Sequence, residues 1–489
     1  TAADARVAKS ATRGDTLRLV WQGVRDVATG AGPFAVTVTL TPYGDQPGAA
    51  AWRIQVANPT RDWTLWEVTF PILQQVTAGA DGAADRFFHP HGWGVQLSGW
   101  QELAEVRRRY PRGWDCGMQV VGWSSGAETL YLAAHDPRLC PKEFHFRPDP
   151  SASPRHCRLA VTLYPDGMTL AGNSYTQDFD IVTAVLRGDW YDAARLYGGW
   201  ARRQPWAAAP PPRASTEPRA DREIHAWQVI QFPAKSADQW VDETERLAAR
   251  LDVRLGAHLY NWHQIPFDTS YPDYFPARPE FADFARRLRA AGIVVMPYIN
   301  GRLWDINAKS WRARRAERFA VKHSAERLDP RTLVPYLEEY GSGQKLAPMC
   351  VATAFWRDTV RALCRRIVRE LGCDGVYIDQ IAAEKAELCF NRQHPHAPGG
   401  GGFWLDGYRR LAADIRADIG PNPTLTTECN WEGCIADYDA LLSWAWFAPN
   451  EIPLFPAAYA GLARSFGCSF SDNDIRRDGG DVFARKMAR

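Results

Sequence analysis

Apolar and polar positions alternate along short segments in the N-terminal part of the chain. Three segments show this clearly: Phe34–Leu40, Trp52–Val56 and Cys157–Leu163. A period of two places one row of side chains on a core and the other toward water, as in an antiparallel sheet. Glycine and proline separate the segments. Many short strands with turns between them predict an antiparallel β-sandwich over residues 1–185.

The period of the apolar positions then changes. Trp190–Trp200 has helical spacing, and a proline-rich stretch follows at 204–213. Because proline has no amide hydrogen and fixes its own backbone, such a stretch is typical of a connection between packed units. We therefore expect a connecting helix and linker over residues 186–221.

From residue 222 onward, short apolar runs alternate with amphipathic helices. The predicted strands are Ile224–Gln231, Gly256–Asn261, Val294–Asn300, Gly375–Asp379, Thr424–Glu428 and Leu441–Trp446. Three apolar stripes at helical spacing begin at Phe281, Trp356 and Trp404. Alternation of this kind over residues 222–489 predicts a (β/α)8 TIM barrel.

The count of strands falls short of eight. Leu454–Tyr459 and Cys468–Phe470 are the candidates for the seventh and eighth strands. Little room remains after Trp446 for full helices between them. We expect either that the barrel closes irregularly or that the chain stops before its natural C-terminal end.

The composition excludes several classes of partner. Hydrophobic residues make up 46% of the 489, which excludes a disordered chain. A net charge of +2 gives no bulk attraction to nucleic acid, and no run of 18 apolar residues exists to cross a membrane. The chain begins at Thr1 without a signal segment, so a cytoplasmic location and export after removal of a leader both stay open. The oligomeric state also stays open.

Tryptophan is abundant and cysteine is uninformative. The 21 Trp residues suit either core packing or stacking on the apolar faces of sugars. Ten Cys residues include no CxxC pair and no Cys/His quartet with zinc spacing, so we expect free buried thiols, no metal and no cofactor. The loop His394–Gly402 is glycine-rich but lacks the Lys-Ser/Thr of a phosphate loop, and we expect a flexible flap.

Two predicted strands end in carboxylic acids. Asp379 ends the fourth strand and Glu428 ends the fifth. The alternatives are a helix N-cap for Asp379 and a salt bridge for Glu428. Neighbouring strands lie about 4.8 Å apart, so acids at the same level would face each other. Paired carboxyl groups about 5–5.5 Å apart suit a retaining glycosidase, and about 6.5–9.5 Å suits an inverting one.

Other strand ends carry groups suited to hydroxyl groups and C–H faces. We predict that substrate is bound by His258, Tyr260, Trp262, Asp268, Asn300, Arg302, Trp304, Asp305, Asn430 and Trp444. The indoles, together with that of Trp446, would form sugar platforms, and the charged groups would hold hydroxyls. Two alternatives stay open: His258 as a metal ligand, and Asp305 as a partner of Arg302.

Four motifs carry a resemblance to a known family. They are Phe267–Ala277, Met296–Asp305, Gly375–Gln380 and Thr426–Asn430. They resemble a family of bacterial glycoside-hydrolase-like proteins of largely unknown function, which is distantly similar to the endo-α-N-acetylgalactosaminidases. The likeness covers about residues 190–470. It implies a galactose-mutarotase-like sandwich before the barrel, with Asp379 as nucleophile and Glu428 as acid/base.

The resemblance implies a retaining glycosidase that acts on α-linked sugars of an oligosaccharide or glycoside. Asp379 would form a glycosyl-enzyme, and Glu428 would give and then take a proton, with the higher pKa of the two. One alternative is a carbohydrate-binding protein without catalysis. Another is a metal-dependent barrel lyase or hydrolase.

Overall fold

The N-terminal part of the chain is antiparallel. The computed structural model describes residues 9–44, 46–76, 84–98, 105–149, 151–152, 156–207, 224, 226–324, 332–443 and 450–467. Its first strands are β1 (Lys9–Arg13), β2 (Thr16–Val24), β3 (Phe34–Pro42), β4 (Ala49–Ala57), β5 (Val68–Val76), β6 (Asp85–His89), β7 (Val95–Ser98), β8 (Val106–Tyr110), β9 (Val120–Ser125), β10 (Glu128–His135), β11 (Lys142–Asp149), β12 (His156–Leu163), β13 (Tyr175–Thr176) and β14 (Asp180–Arg187). The three alternating segments lie in β3, β4 and β12, as predicted.

These strands form two sheets that face each other. One sheet has the order β1-β2-β3-β4-β14-β10-β9-β6-β7, with β13 beside β4, and the other has the order β5-β12-β11-β8. The ring of Phe87 in β6 stacks on that of Phe146 in β11 with centroids 4.0 Å apart. Trp123 in β9 stacks on Phe146 as well. Aromatic side chains from both inner faces fill one core, so the predicted sandwich architecture is present.

Helix α1 (Trp190–Ala201) follows the sandwich, where the sequence predicts a helix. Asp189 and Asp192 form a capping box at its start. The proline-rich stretch from residue 204 is packed at its beginning, because Trp206 is fully buried and its ring contacts those of Trp200 and Tyr459. The rest of the predicted linker lies outside the described residues.

The remaining strands and helices alternate. The strands are β15 (Ala226–Gln231), β16 (Leu255–Tyr260), β17 (Val294–Asn300), β18 (Leu303–Asp305), β19 (Lys322–Ser324), β20 (Leu333–Pro335), β21 (Glu338–Glu339), β22 (Lys345–Pro348), β23 (Gly375–Asp379), β24 (Thr424–Glu428), β25 (Ala440–Ser443) and β26 (Ser465–Gly467). The helices are α2 (Ala237–Leu251), α3 (Phe281–Ala290), α4 (Lys309–Ala313), α5 (Ala354–Arg369), α6 (Phe403–Ile419) and α7 (Leu454–Tyr459). Strands β18–β22 form small sheets inserted before α5.

Seven strands form one parallel sheet in the order β15-β16-β17-β23-β24-β25-β26. The rings of Trp227 in β15 and Phe466 in β26 lie 5.2 Å apart, so the two edges curl toward each other. The described residues therefore form a nearly closed barrel of seven strands, not the eight predicted. Leu454–Tyr459 is helix α7 and not a strand. The predicted strand Cys468–Phe470 and the end of Leu441–Trp446 lie outside the described residues.

The predicted apolar stripes of the helices face the core. Phe281, Phe284 and Leu288 of α3 are fully buried, as are Trp356 of α5 and Leu411 of α6. The polar residues between these positions point to solvent, which is the pattern of a helix packed on a sheet. Among the described residues, no helix is both long enough and apolar enough to span a membrane.

One buried carboxylate joins the sandwich to the barrel. Glu432, just after β24, accepts hydrogen bonds from the hydroxyls of Tyr110 in β8 (2.8 Å), Tyr197 in α1 (2.8 Å) and Tyr459 in α7. Burial raises the pKa of Glu432 to about 7, although the three hydroxyl donors oppose the shift. A single side chain thus ties together elements that are distant in sequence.

Glu432→Gln should flatten part of the pH dependence of stability. Because the folded-state pKa of about 7 exceeds the ordinary value of 4.5, the native state binds more protons than the unfolded state in that window. Wild-type stability should therefore fall as pH rises from about 5 to 7, by on the order of 3 kcal/mol from this group. The glutamine side chain of the variant does not titrate between about pH 5 and 7. The difference in Tm between the variant and the wild type should therefore shift in favour of the variant as pH rises.

The measurement is thermal unfolding of both proteins at several pH values, with Glu370→Gln as a control at an exposed position on the end of α5. Parallel Tm profiles for wild type and Glu432→Gln would show that Glu432 does not titrate in this range.

Candidate active site

The ends of β23 and β24 bring the two predicted acids together. The strands pair in parallel with Tyr377 beside Thr426 and Ile378 beside Thr427. Asp379 and Glu428 follow at the same level. Their carboxyl groups are in hydrogen-bonding contact. Both side chains are half-buried, while the strand residues beneath them are buried, so the pair lies at the rim of the barrel.

Asp379 is held by donors on two sides. The hydroxyl of Tyr298 donates to its Oδ2 at 2.9 Å, and the amide of Gln380 donates to its Oδ1 at 2.8 Å. Burial raises the pKa of Asp379 above its ordinary value, and the hydrogen bonds with Glu428 and Tyr298 oppose that shift. Two carboxyl groups in contact cannot both ionise easily, so they titrate as a pair.

The chain turns sharply after each acid. Gln380 has a φ of +65° and Cys429 a φ of +64°, and Asn261, which follows β16, has a φ of +55°. A left-handed conformation is unfavourable for residues other than glycine and is concentrated at functional sites. The turns end both acid-bearing strands at the same level and leave the carboxyl groups at the rim.

Aromatic rings and a third acid surround the pair. Tyr260, at the end of β16, stacks on Tyr298 with ring centroids 4.9 Å apart. Phe267 lies 5.3 Å from Tyr298 and is 42% exposed. Burial, and then the charge of Asp379, raise the pKa of half-buried Asp268. The structure therefore places Tyr260 and Asp268 near the carboxyl pair, and their role in binding substrate stays a prediction.

Two predicted binding residues lie beneath the rim instead. His258 is 1% exposed and its ring packs on those of Tyr260 and Tyr377. Burial lowers the pKa of His258 to about 3, so the ring is neutral. Trp262 is fully buried against Tyr274, and its indole N–H donates to the carbonyl oxygen of Tyr298 at 2.7 Å. The prediction that Trp262 is a sugar platform is wrong, because its faces are occupied by protein.

The predicted group at the end of β17 is also structural. Trp304 is fully buried and stacks on Phe355, so the prediction of a platform is wrong here too. Arg302 is 1% exposed and makes two hydrogen bonds to the carboxylate of Glu338, at 2.6 and 2.8 Å. A buried guanidinium paired in this way has no surface for substrate. The prediction that Arg302 holds sugar hydroxyls is therefore wrong.

Asp305 is 3% exposed and is held by backbone amides, while Arg302 pairs with Glu338 instead. The carboxylate of Asp305 accepts from the amides of Ser270 (2.7 Å) and Asn307 (2.8 Å), which fixes the loop that carries Asp268. The side-chain oxygen of Asn300 accepts from the amides of Arg302 and Leu303, so Asn300 caps the turn after β17.

Asn430 packs into the interface between the sandwich and the barrel. The side chain of Asn430 is buried, and the backbone carbonyl oxygen of Asn430 lies where a Cβ on Gly117 would be. That contact is possible only because residue 117 is glycine. The remaining predicted binding residue, Trp444, lies outside the described residues, as does Trp446.

Loops of the sandwich reach the same end of the barrel. The indole N–H of Trp93 donates to Ser443 Oγ at the end of β25 (3.0 Å), and the amide of Trp114 donates to Ala383 O (3.3 Å) in the loop after β23. Both tryptophans are half-buried. Sequence reasoning missed them because nothing local links a loop at residue 93 or 114 to a strand end more than 250 residues away. It also missed Tyr298, although strand alternation places Tyr298 on the same face as Asn300.

A second group of polar side chains lies in the loops before α5 and α6. Ligand atoms of Cys350, Cys389, His394 and His396 all lie within 4.8 Å of one another. The sequence has no Cys/His quartet with zinc spacing, and this group forms because Cys350 comes from a segment separate from the other three residues. The flap prediction for His394–Gly402 is wrong, because Gly399–Gly402 are buried against the sandwich. Neither Asp379 nor Glu428 belongs to this Cys/His group.

Comparison with known proteins agrees with the fold. The chain is 30% identical over 465 residues to a Bacteroides thetaiotaomicron protein named "Putative glycoside hydrolase", covering 91% of this chain and 63% of that protein. It is 28% identical over 483 residues to a Monosiga brevicollis protein named "Putative glycoside hydrolase 22789", covering 89% of this chain and 39% of that protein. The chain therefore spans less than two thirds of each relative.

Among solved structures, the chain is similar to the α-N-acetylgalactosaminidase NagBb from Bifidobacterium bifidum in its GalNAc complex. The TM-score is 0.70 at 15% identity, over 93% of this chain and 75% of that one, which shows a shared fold. A family model described as "Domain of unknown function (DUF6259)" matches residues 175–470, more than half of the chain. The resemblance to a glycoside-hydrolase-like family of largely unknown function is therefore confirmed, and the chain belongs to the DUF6259 family.

Proposed function

We propose that this protein is a retaining glycosidase in which Asp379 is the nucleophile and Glu428 the acid/base. The observation that carries the proposal is the contact between the two carboxyl groups at the ends of adjacent parallel strands. Barrel enzymes place catalytic groups at this end of their strands. The names of the relatives support action on glycosidic bonds.

Close spacing of the carboxyl groups favours retention over inversion. An inverting enzyme must keep its two carboxyl groups about 6.5–9.5 Å apart to admit a water molecule between base and sugar. Carboxyl groups in hydrogen-bonding contact are nearer to the spacing of a retaining pair than to that of an inverting pair. Asp379 would attack the anomeric carbon while Glu428 protonates the leaving oxygen. Glu428 would then remove a proton from the water that releases the sugar.

We also propose a preference for α-linked sugars. It rests on the resemblance to α-acting enzymes, among which NagBb is named an α-N-acetylgalactosaminidase. Phe267 would offer an exposed ring face to the sugar, and Asp268 would accept from a hydroxyl, since both lie beside the pair. The finer fold assignment belongs to the same proposal: a galactose-mutarotase-like sandwich over 1–185, a connection over 186–221 and a (β/α)8-type barrel from 222.

Asp379→Asn and Glu428→Gln should separate the two roles. With an α-glycosyl fluoride, whose fluoride leaves without protonation, loss of the nucleophile should reduce the first turnover more than about 10³-fold. Loss of the acid/base should leave the first-turnover burst of fluoride largely intact and slow the later turnovers, because release of the sugar from Asp379 then lacks its general base. With an α-glycoside that has a poor leaving group, the turnover of Glu428→Gln should also fall, by about 10²–10⁴-fold. Fluoride release and product formation measure the two reactions over a panel that includes α-galactosyl and α-N-acetylgalactosaminyl donors.

Asp374→Asn is the matched control, because Asp374 precedes the same strand at the opposite end of the barrel and pairs with Arg289. It should keep activity if it folds. A fully active Asp379→Asn, or an equal loss of first-turnover rate on both substrates in Glu428→Gln, would contradict the assigned roles. A wild-type protein that binds these sugars without cleaving any of them would favour the non-catalytic alternative.

Tyr298→Phe should move the acidic limb of the pH–rate profile to higher pH. The variant removes the hydroxyl that donates to Asp379, so the ionised form of Asp379 loses a hydrogen bond and its pKa rises. Because the nucleophile must be ionised, kcat/KM should fall about 10-fold or more on the acidic side. Tyr408→Phe, which removes a buried hydroxyl on α6, is the control and should leave the profile in place. An unchanged profile for Tyr298→Phe would be evidence against Asp379 as the ionised group.

A further inference from the structure

Two thiols and two imidazoles converge in one compact group. Sγ of Cys350 lies 3.4 Å from Nε2 of His396, and Sγ of Cys389 lies 3.4 Å from Nδ1 of His394. In a tetrahedral zinc site with Zn–S of about 2.3 Å and Zn–N of about 2.0 Å, sulfur and nitrogen ligands lie about 3.5 Å apart. The observed separations match that spacing. Cys350, Cys389 and His394 are buried.

The outer nitrogen of each imidazole is already occupied by a backbone carbonyl. Nε2 of His394 lies 2.9 Å from Arg318 O, and Nδ1 of His396 lies 2.8 Å from Ala397 O. A carbonyl oxygen only accepts, so Nδ1 of His396 carries the proton of that ring. Nε2 of His394 also lies 2.9 Å from the side-chain amide nitrogen of Asn391, and the tautomer with the proton on Nε2 is the one that donates to Arg318 O. With the protons on these outer nitrogens, the nitrogens that face the sulfurs present lone pairs. This is the arrangement that orients histidine ligands around a metal ion.

The backbone holds three of the four residues in a closed loop. The amide of Gly399 donates to the carbonyl oxygen of Cys389 at 2.9 Å, so the loop that contains both histidines returns to its starting point. Gly399 has a φ of +98° and contacts Met168 of the sandwich, where a side chain on residue 399 would clash. Cys350 is supplied from the chain that follows β22. The closed loop and the chain after β22 thus bring the four ligand residues together.

We propose that Cys350, Cys389, His394 and His396 bind one structural zinc ion. Thiolate and imidazole ligands in tetrahedral arrangement favour zinc over the hard cations, which prefer oxygen. A two-iron cluster with two Cys and two His would hold the thiolates and the imidazoles on different irons. Here each sulfur lies beside a nitrogen, which fits a single ion. Four protein ligands complete the coordination of zinc, so the site is structural and leaves no position for substrate.

The zinc ion would fix the loop between Asp379 and α6. That loop contains Cys389, His394 and His396, and it touches the sandwich through Gly399–Gly402. Binding would join it to the segment after β22 and hold both against the sandwich. The stabilisation is separate from the proposed glycosidase chemistry, because neither Asp379 nor Glu428 is a ligand.

Metal analysis of the full chain, purified without chelator, tests the proposal. We expect about one zinc ion per chain, and loss of that zinc in Cys350→Ser and in Cys389→Ser. Cys364→Ser is the matched control, because Cys364 is equally buried but lies in α5 outside the group, and it should keep its zinc. Chelation should lower the Tm of the wild type and of Cys364→Ser, but not that of the two ligand variants.

Cobalt substitution keeps the test decisive if the ligand variants do not fold. Wild-type protein stripped of metal and loaded with Co²⁺ should show the intense visible bands of a tetrahedral ion together with thiolate-to-cobalt charge transfer. Wild-type protein that takes up neither Zn²⁺ nor Co²⁺ in stoichiometric amount would overturn the proposal. So would undiminished zinc in both ligand variants. Neither result would affect the glycosidase proposal, which needs no metal.

Discussion

The parallel pairing of Gly375–Asp379 with Thr424–Glu428 is the constraint on which the rest of the site depends. Parallel strands in register must end at the same level, so two acids at corresponding positions are forced to meet. The sharp turns at Gln380 and Cys429 then hold both carboxyl groups at the rim. Tyr298 donates to one of them from the neighbouring strand β17. A shift of one residue in the pairing would separate the acids and remove the basis for the proposed catalysis.

The barrel does not form the site alone. Loops of the sandwich reach the strand ends through Trp93 and Trp114, and Glu432 fixes the sandwich, α1 and α7 on the same side. The loop after β23 packs on the sandwich through Gly399–Gly402. Each of these contacts joins segments that are distant in sequence. The antiparallel region is therefore part of the framework that shapes the mouth of the barrel.

Local sequence patterns were sufficient to predict most strands and helices and to single out the two acids at the strand ends. Alternation and helical stripes predict the strands around Asp379 and Glu428, because these patterns depend on burial of a single face. The predictions of sugar platforms at Trp262 and Trp304 failed because the burial of a ring is decided by tertiary packing. Both residues follow strand ends in sequence, yet their rings lie in the core. The Cys/His group could not be found from spacing, since Cys350 comes from a separate segment. Tyr298 matters for the site because it contacts Asp379 on the neighbouring strand, and Phe267 because its ring lies beside Tyr298. Neither contact can be read from local sequence.

The most direct test of the central claim is to trap the covalent intermediate. A 5-fluoro-α-glycosyl fluoride of the sugar that the protein cleaves fastest should react with the wild type and leave a slowly hydrolysed sugar on one residue. Mass spectrometry of the digested protein should place that label on Asp379. A label on another residue, or release of a first product with inverted anomeric configuration, would contradict the account.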